Sequence, residues 1–152
     1  MRRTDQRRAA IFISYQRDVT GASIDELAQR SALGGGFVAS PENGTGASGR
    51  LELTVFTREL AEGVELERAE LDRIIAEHAV GWDVERIAPL ERAILRVALY
   101  EIIHRPDVPD EVAIDEAVET AKLYCGLEAP GFVNGILGGA MKRLARNEKD
   151  PR

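Results

Sequence analysis

At 152 residues, and with domains running to roughly 100–200 residues, the chain has room for one compact domain or two small subdomains and excludes a large catalytic module. Hydrophobic residues make up 44% and charged residues 30%, which supplies a packed core and excludes both a disordered polyelectrolyte and a membrane protein. The net charge of −6 is unevenly spread: residues 1–17 hold five Arg and one Asp, residues 141–152 hold five bases and two acids, and the 123 residues between them carry −13.

Apolar residues recur at helical spacing along almost the whole chain, with no run of alternating β-branched residues, so the chain reads as all-α with about seven helices. The first is expected over about Thr4 to Asp18. At 100° per residue Ala9, Phe12, Ile13 and Tyr15 fall on one side and Arg3, Arg7, Ser14 and Arg17 on the other, an amphipathic helix with an arginine stripe. Ser23-Ile24-Asp25-Glu26 has the capping-box pattern, in which a Ser oxygen and a Glu carboxylate satisfy free backbone amides; it places a second helix from Ile24 to before Gly34. Residues 34–49 are rich in Gly, Ser, Asn and Pro, and Gly44-Thr45-Gly46-Ala47-Ser48-Gly49 formally matches GxGxxG. That fingerprint needs a strand before it and a βαβ unit around it; here only Phe37-Val38-Ala39 precedes, so a surface loop is expected instead.

A third helix, about Leu51 to Glu62, is expected to close at Gly63, and a fourth to run from about Leu66 to Val80 before Gly81. Their apolar stripes are Leu53, Phe56 and Leu60, then Leu71, Ile74, Ile75 and His78. A short connector from Trp82 to Pro89 leads to Leu90–His104, where Ile94, Leu95, Val97, Ala98, Leu99, Ile102 and Ile103 cover nearly the whole circumference. A helix apolar on all sides belongs at the centre of a bundle. Glu101 projects with Leu90, Ile94 and Val97, so it should be at least partly buried with an Arg or Lys partner, a structural ion pair rather than a catalytic acid. After Pro106 and Pro109 a helix from Glu111 to Tyr124 turns Val112, Ala113, Ala117, Ala121 and Tyr124 inward, and Gly126 ends it. The last helix runs from about Phe132 to Ala145, its start marked by Pro130-Gly131. Phe132 is either a staple packing that helix entry or an exposed stacking ring.

The segment Arg2 to Arg8 has no apolar stretch behind it of the kind a signal peptide needs, so a cytoplasmic protein is expected. Cys125 is the single cysteine; it cannot form an internal disulfide, and neither CxxC nor HxxxH spacing points to a metal. His78 and His104 stand alone and read as satisfied structural histidines rather than ligands or catalytic bases. No nucleophile–base pair and no paired carboxylates are evident, so no catalytic residue, metal or cofactor is expected. Basic ends on an acidic body suit a protein that touches nucleic acid at one place and repels it elsewhere, although two solvated tails would give the same count. Single-stranded RNA is held by cations on phosphates and by rings under bases, and Arg8 and Tyr15, about 20° apart around the first helix and two turns along it, would offer both.

Four blocks make a specific pattern: Glu91-Arg92-Ala93-Ile94-Leu95-Arg96-Val97-Ala98-Leu99-Tyr100-Glu101; Asp107-Val108-Pro109; Val112-Ala113-Ile114-Asp115-Glu116-Ala117-Val118-Glu119-Thr120-Ala121-Lys122; and Phe132-Val133-Asn134-Gly135-Ile136-Leu137. In this order they closely resemble the NusB family of bacterial transcription antitermination factors, and Arg3, Arg7, Ala10 and Tyr15 are similar to that family's Arg-rich opening helix. The resemblance implies an all-α fold of about seven helices in two small packed bundles, a single RNA-binding domain over 1–152 with subdomains at about 1–63 and 64–147. It also implies a non-enzymatic role. Members bind the boxA element of ribosomal RNA leader transcripts together with the small-subunit ribosomal protein NusE, and join other Nus factors on RNA polymerase to promote read-through.

On this chain the resemblance implies RNA contact at Arg2, Arg3, Arg7, Arg8 and Tyr15 of the first helix and at Glu128 and Phe132 at the start of the last. The protein partner would meet the surface near Glu91. A monomer or weak homodimer is expected. Two other readings share the fold: a protein–protein adaptor without RNA contact, and the RNA-binding domain of a ribosomal RNA cytosine methyltransferase, for whose methyl-donor domain no residues remain.

Overall fold

The computed structural model describes residues 2–32 and 53–149. They form seven α-helices, α1 (Arg3–Thr20), α2 (Ile24–Ala32), α3 (Val55–Leu66), α4 (Arg68–His78), α5 (Pro89–His104), α6 (Asp110–Tyr124) and α7 (Ala129–Lys149), with a 3₁₀ turn at Val84–Arg86 between α4 and α5. Among the described residues there is no strand, and no helix is long and apolar enough to cross a membrane. The glycine-rich 34–49 segment, with its GxGxxG-like match, lies outside the described residues, as does the expected helix start at Leu51. Two compact units divide the chain, Met1–Leu66 and Glu67–Arg152.

In the first unit α1 packs against α2 and α3. Ala9, Ile13, Ala22, Leu27 and Ala61 form its core, with Ile24 and Leu53 packed at the margin. Gly21 adopts a left-handed conformation (φ 75°) and its N–H closes α1 on the Arg17 carbonyl, a backbone setting that a side chain would strain. The Ser23 hydroxyl accepts from the Glu26 N–H at 3.1 Å, capping α2 as its sequence pattern indicates. α3 starts at Val55 because Thr54 Oγ1 accepts the Thr57 N–H at 3.1 Å. Thr54 also donates to Gln6 Oε1 at 2.9 Å, and Thr57 donates to the Gln6 carbonyl at 2.9 Å, pinning α3 to α1. The helix does not close at Gly63, which lies buried within it; burial of Val64 on the next residue outweighs the roughly 1 kcal/mol a helical glycine costs.

In the second unit α5 touches α4, α6 and α7, and every residue from Ala93 to Leu99 is buried. The centre of the bundle is where an all-round apolar helix should be. Pro89 opens α5 at a position whose N–H would be unsatisfied anyway, and Pro130 sits within the first turn of α7, which begins three residues earlier than Phe132. In α6 the inward face is Ala113, Ile114, Ala117, Thr120 and Ala121; Val112 is exposed, one step off the face expected for it. Gly139 of α7 faces the His78 ring, where a Cβ would make an ordinary van der Waals contact at 3.4 Å.

Two charges sit inside this unit. Glu101 is fully buried, as its angular position implies. Arg96, not singled out by the apolar pattern, is 4% exposed and grips Asp72 of α4 through Nε at 2.7 Å and Nη2 at 3.0 Å, a bidentate pair in which Asp72 is 29% exposed. Removing one member of a buried pair costs about 3–5 kcal/mol. Because Asp72 is partly wet, Asp72→Ala is expected to destabilise the chain by about 3 kcal/mol. Asp25→Ala, which deletes an exposed pair with Arg58, should leave the midpoint unchanged, and urea unfolding of the two variants side by side checks both.

Candidate nucleic-acid interface

The residues singled out for RNA contact fall into two groups, one in each unit. The first group opens α1. Arg2 is exposed and pairs with Asp5 at 3.4 Å. Arg3 is exposed and lays its guanidinium over the Phe56 ring, 3.9 Å from the centroid, with Arg7 at 5.6 Å from the same ring. Arginine's planar cation suits such a face, which holds the side chain in place without cancelling its charge. Tyr15 is half-buried.

The expected exposed arginine stripe is not what forms. Arg7 and Arg8 are only 5% and 7% exposed, and α1 is buried all round from Arg7 to Ser14. Arg17, also of that stripe, turns instead to the Glu65 carboxylate at 3.0 Å and donates to the Ala22 carbonyl. Helical angles assign a side, but the surroundings of that side come from tertiary packing. Arg8 Nε and Ser14 Oγ are buried with no hydrogen-bond partner among the described residues.

The second group is built by α5, the α7 entry and the connector before α5. A cleft of about 310 Å³ is lined by Trp82, Arg86, Ile87, Glu91, Glu128 and Phe132, together with Ala88 and Ala129. Glu91, Glu128 and Phe132, chosen from two distant blocks, thus meet around one cavity. Trp82 and Arg86, from the short connector before α5, join them although no local pattern marks either residue. The left-handed Gly81 (φ 84°) and the 3₁₀ turn at Val84–Arg86 shape that connector, and Arg92 fastens it by donating to the Val84 and Glu85 carbonyls at 3.3 and 2.8 Å. Phe132 meets the Trp82 ring edge-on, centroids 6.3 Å apart at 64°. It therefore braces a neighbouring ring while remaining half-exposed.

Burial in this cleft raises the Glu91 carboxyl above the usual carboxylate range. Cys125, at the end of α6, is pushed up to about 11, first by burial and then by the negative field of Glu91. Elsewhere the ligand atoms of Glu67, Glu70 and His104 lie within 4.8 Å of one another, a grouping that sequence separation hides, and His104 stacks 5.0 Å from Tyr100. His78 Nε2 is buried without a hydrogen-bond partner among the described residues, so the expectation of a satisfied histidine is corrected for that nitrogen.

Raising a thiol from 9.0 to about 11 cuts its thiolate at pH 8 by about a hundredfold. Cys125 is accordingly expected to react with iodoacetamide about two orders of magnitude more slowly than free cysteine, and Glu91→Gln should recover part of that rate.

The NusB family model matches residues 4–142. The transcription antitermination protein NusB of Rubrobacter xylanophilus is 42% identical over 144 residues, covering 95% of this chain and 93% of that protein. In three dimensions the fold matches T. maritima NusB with a TM-score of 0.73 at 25% identity, over 93% of this chain and 92% of that one. A chain in a crystal structure of the antitermination factors NusB and NusE in complex with double-stranded RNA matches with a TM-score of 0.71 at 23% identity, over 93% and 96%; that likeness concerns the fold.

Proposed function

Since the chain belongs to the NusB family, a family of antitermination factors and not of enzymes, we propose that it binds the boxA element of ribosomal RNA leader transcripts together with the ribosomal protein NusE. The pair then joins other Nus factors on RNA polymerase and promotes read-through in the cytoplasm. The observation that carries this reading is the family match across residues 4–142, which takes in α1 from Thr4 on, the cleft and the first two-thirds of α7.

The chemistry of the two groups supports it. Arg2, Arg3, Arg7 and Arg8 put four cations into seven residues, of which the exposed Arg2 and Arg3 are open to phosphate oxygens. Tyr15 and Phe132 supply half-exposed rings for bases. Glu128 borders the ring of Phe132, and the protein partner docks on the α5 surface near Glu91. With −13 on the 123 residues between the basic ends, the strand is held by few phosphates and repelled by the rest, so the partner is needed for tight binding.

A mobility shift with boxA RNA against a scrambled strand is the direct test. Binding should favour boxA and tighten markedly when the ribosomal partner is added; equal affinity for both strands with the partner present sinks the reading. Arg2→Ala combined with Arg3→Ala should weaken binding and lower the slope of log affinity against log salt by about 1.4, at roughly 0.7 per phosphate of a single strand, while the helical circular dichroism stays unchanged.

A further inference from the structure

The cleft beside α5 holds a side chain that nothing above employs. Trp82 is the only tryptophan of the chain and is 55% exposed. A large ring left half in water is costly for folding alone, and here its orientation is fixed by the edge-on contact with Phe132. Two rings at 64° form a corner, not a sandwich: a flat group can lie on the indole face while its side meets the phenyl ring. The cleft volume of about 310 Å³ sits at the low end of the roughly 300–1,000 Å³ typical of small-ligand sites, suited to one base-sized group.

The polar groups at the rim narrow the occupant. Arg86, whose contact with Asp83 is long (3.9 Å) and exposed, places a cation where a phosphate attached to a bound base would pass. Glu128 is exposed, and its carboxylate has no hydrogen bond or ion pair among the described residues, although its backbone carbonyl accepts the Phe132 N–H at 3.3 Å. An ionised carboxylate only accepts hydrogen bonds, so it favours a base edge carrying an exocyclic amine, as on cytosine, adenine or guanine, over uracil. Glu91 also lines the cleft, its carboxyl raised by burial. A lysine from a protein would gain from the carboxylates but would be opposed by Arg86 and would give the rings no flat group to stack on, whereas a nucleotide meets Arg86, Glu128 and the rings at once.

We propose that Trp82, Phe132, Arg86 and Glu128 form a single-nucleotide pocket in which an amine-bearing base of the RNA stacks on Trp82, donates its amine to Glu128 and rests its phosphate against Arg86. The pocket rests on the RNA-binding reading above and adds to it a stacking ring and a base preference.

Because Trp82 is the sole tryptophan, its emission reports the pocket directly. The full chain with its ribosomal partner is titrated with boxA RNA and with strands in which single amine-bearing bases are replaced by analogues lacking the amine: uracil for cytosine, purine for adenine, hypoxanthine for guanine. Trp82 emission should change with the same concentration dependence as the mobility shift. One replacement should weaken binding about fivefold or more, and the same replacement should be nearly silent in Glu128→Ala. Trp82→Leu should weaken binding by about 5- to 100-fold with unchanged circular dichroism, and Trp82→Phe, which keeps a ring and guards against misfolding, should lose less. RNA that shifts the band while Trp82 emission stays constant, or binding indifferent to Trp82→Leu, overturns the pocket and leaves the RNA-binding reading standing. An emission change produced in full by the protein partner without RNA makes the cleft a peptide site and also overturns it. No binding of any strand overturns both.

Discussion

A charge removed from water must meet an opposite charge, hold a hydrogen bond or give up ionisation, and that demand runs through both units of this chain. It is plainest on α5, the helix at the centre of the second bundle. Apolar packing of Ala93 to Leu99 carries Arg96 inside with it, and the cost is met by the bidentate grip on Asp72. The same pair ties α4 to α5, so the register of two helices depends on one guanidinium fork. Aliphatic side chains would pack as tightly but would not specify which turn of α4 faces which turn of α5.

Where the demand is left partly unmet, the structure has its candidate contacts. Arg8 is buried with its Nε unpartnered among the described residues, Glu91 is half-buried and its carboxyl is raised by desolvation, and the Glu128 carboxylate, which lines the cleft with two rings, has no counter-charge among the described residues. Each is a group that folding alone does not satisfy and that a polyanion with amine-bearing bases, or a protein partner, can. The arginines that lie on Phe56 are different. Arg3 keeps its charge exposed while its orientation is fixed by the ring beneath, the arrangement that lets a cation reach a phosphate with little entropy left to lose.

Much of this organisation is legible in the residues. Helical periodicity locates all seven helices, Ser23 marks a cap, the all-round apolar stretch in α5 marks the bundle centre, and the angle of Glu101 marks it as buried. Terminations were less legible: Gly63 carries the residue type of a stop yet lies inside α3, because packing of its neighbours outweighs its own preference for a turn. The arginine stripe on α1 also misled. Periodicity tells which residues share a side, and only the packed surroundings decide whether that side meets water.

The cleft shows the division most clearly. Short-range pattern, a few residues at a time, determined the all-helical class, the basic opening of α1 and the family blocks, since backbone propensity and amphipathic spacing act over one or two turns. Bringing Trp82, Arg86, Glu91, Glu128 and Phe132 to one cavity was decided by tertiary structure. Contacts across such gaps in the chain arise from helix packing, a left-handed Gly81 and a 3₁₀ turn held by Arg92, and none of these long-range geometries is written in local periodicity.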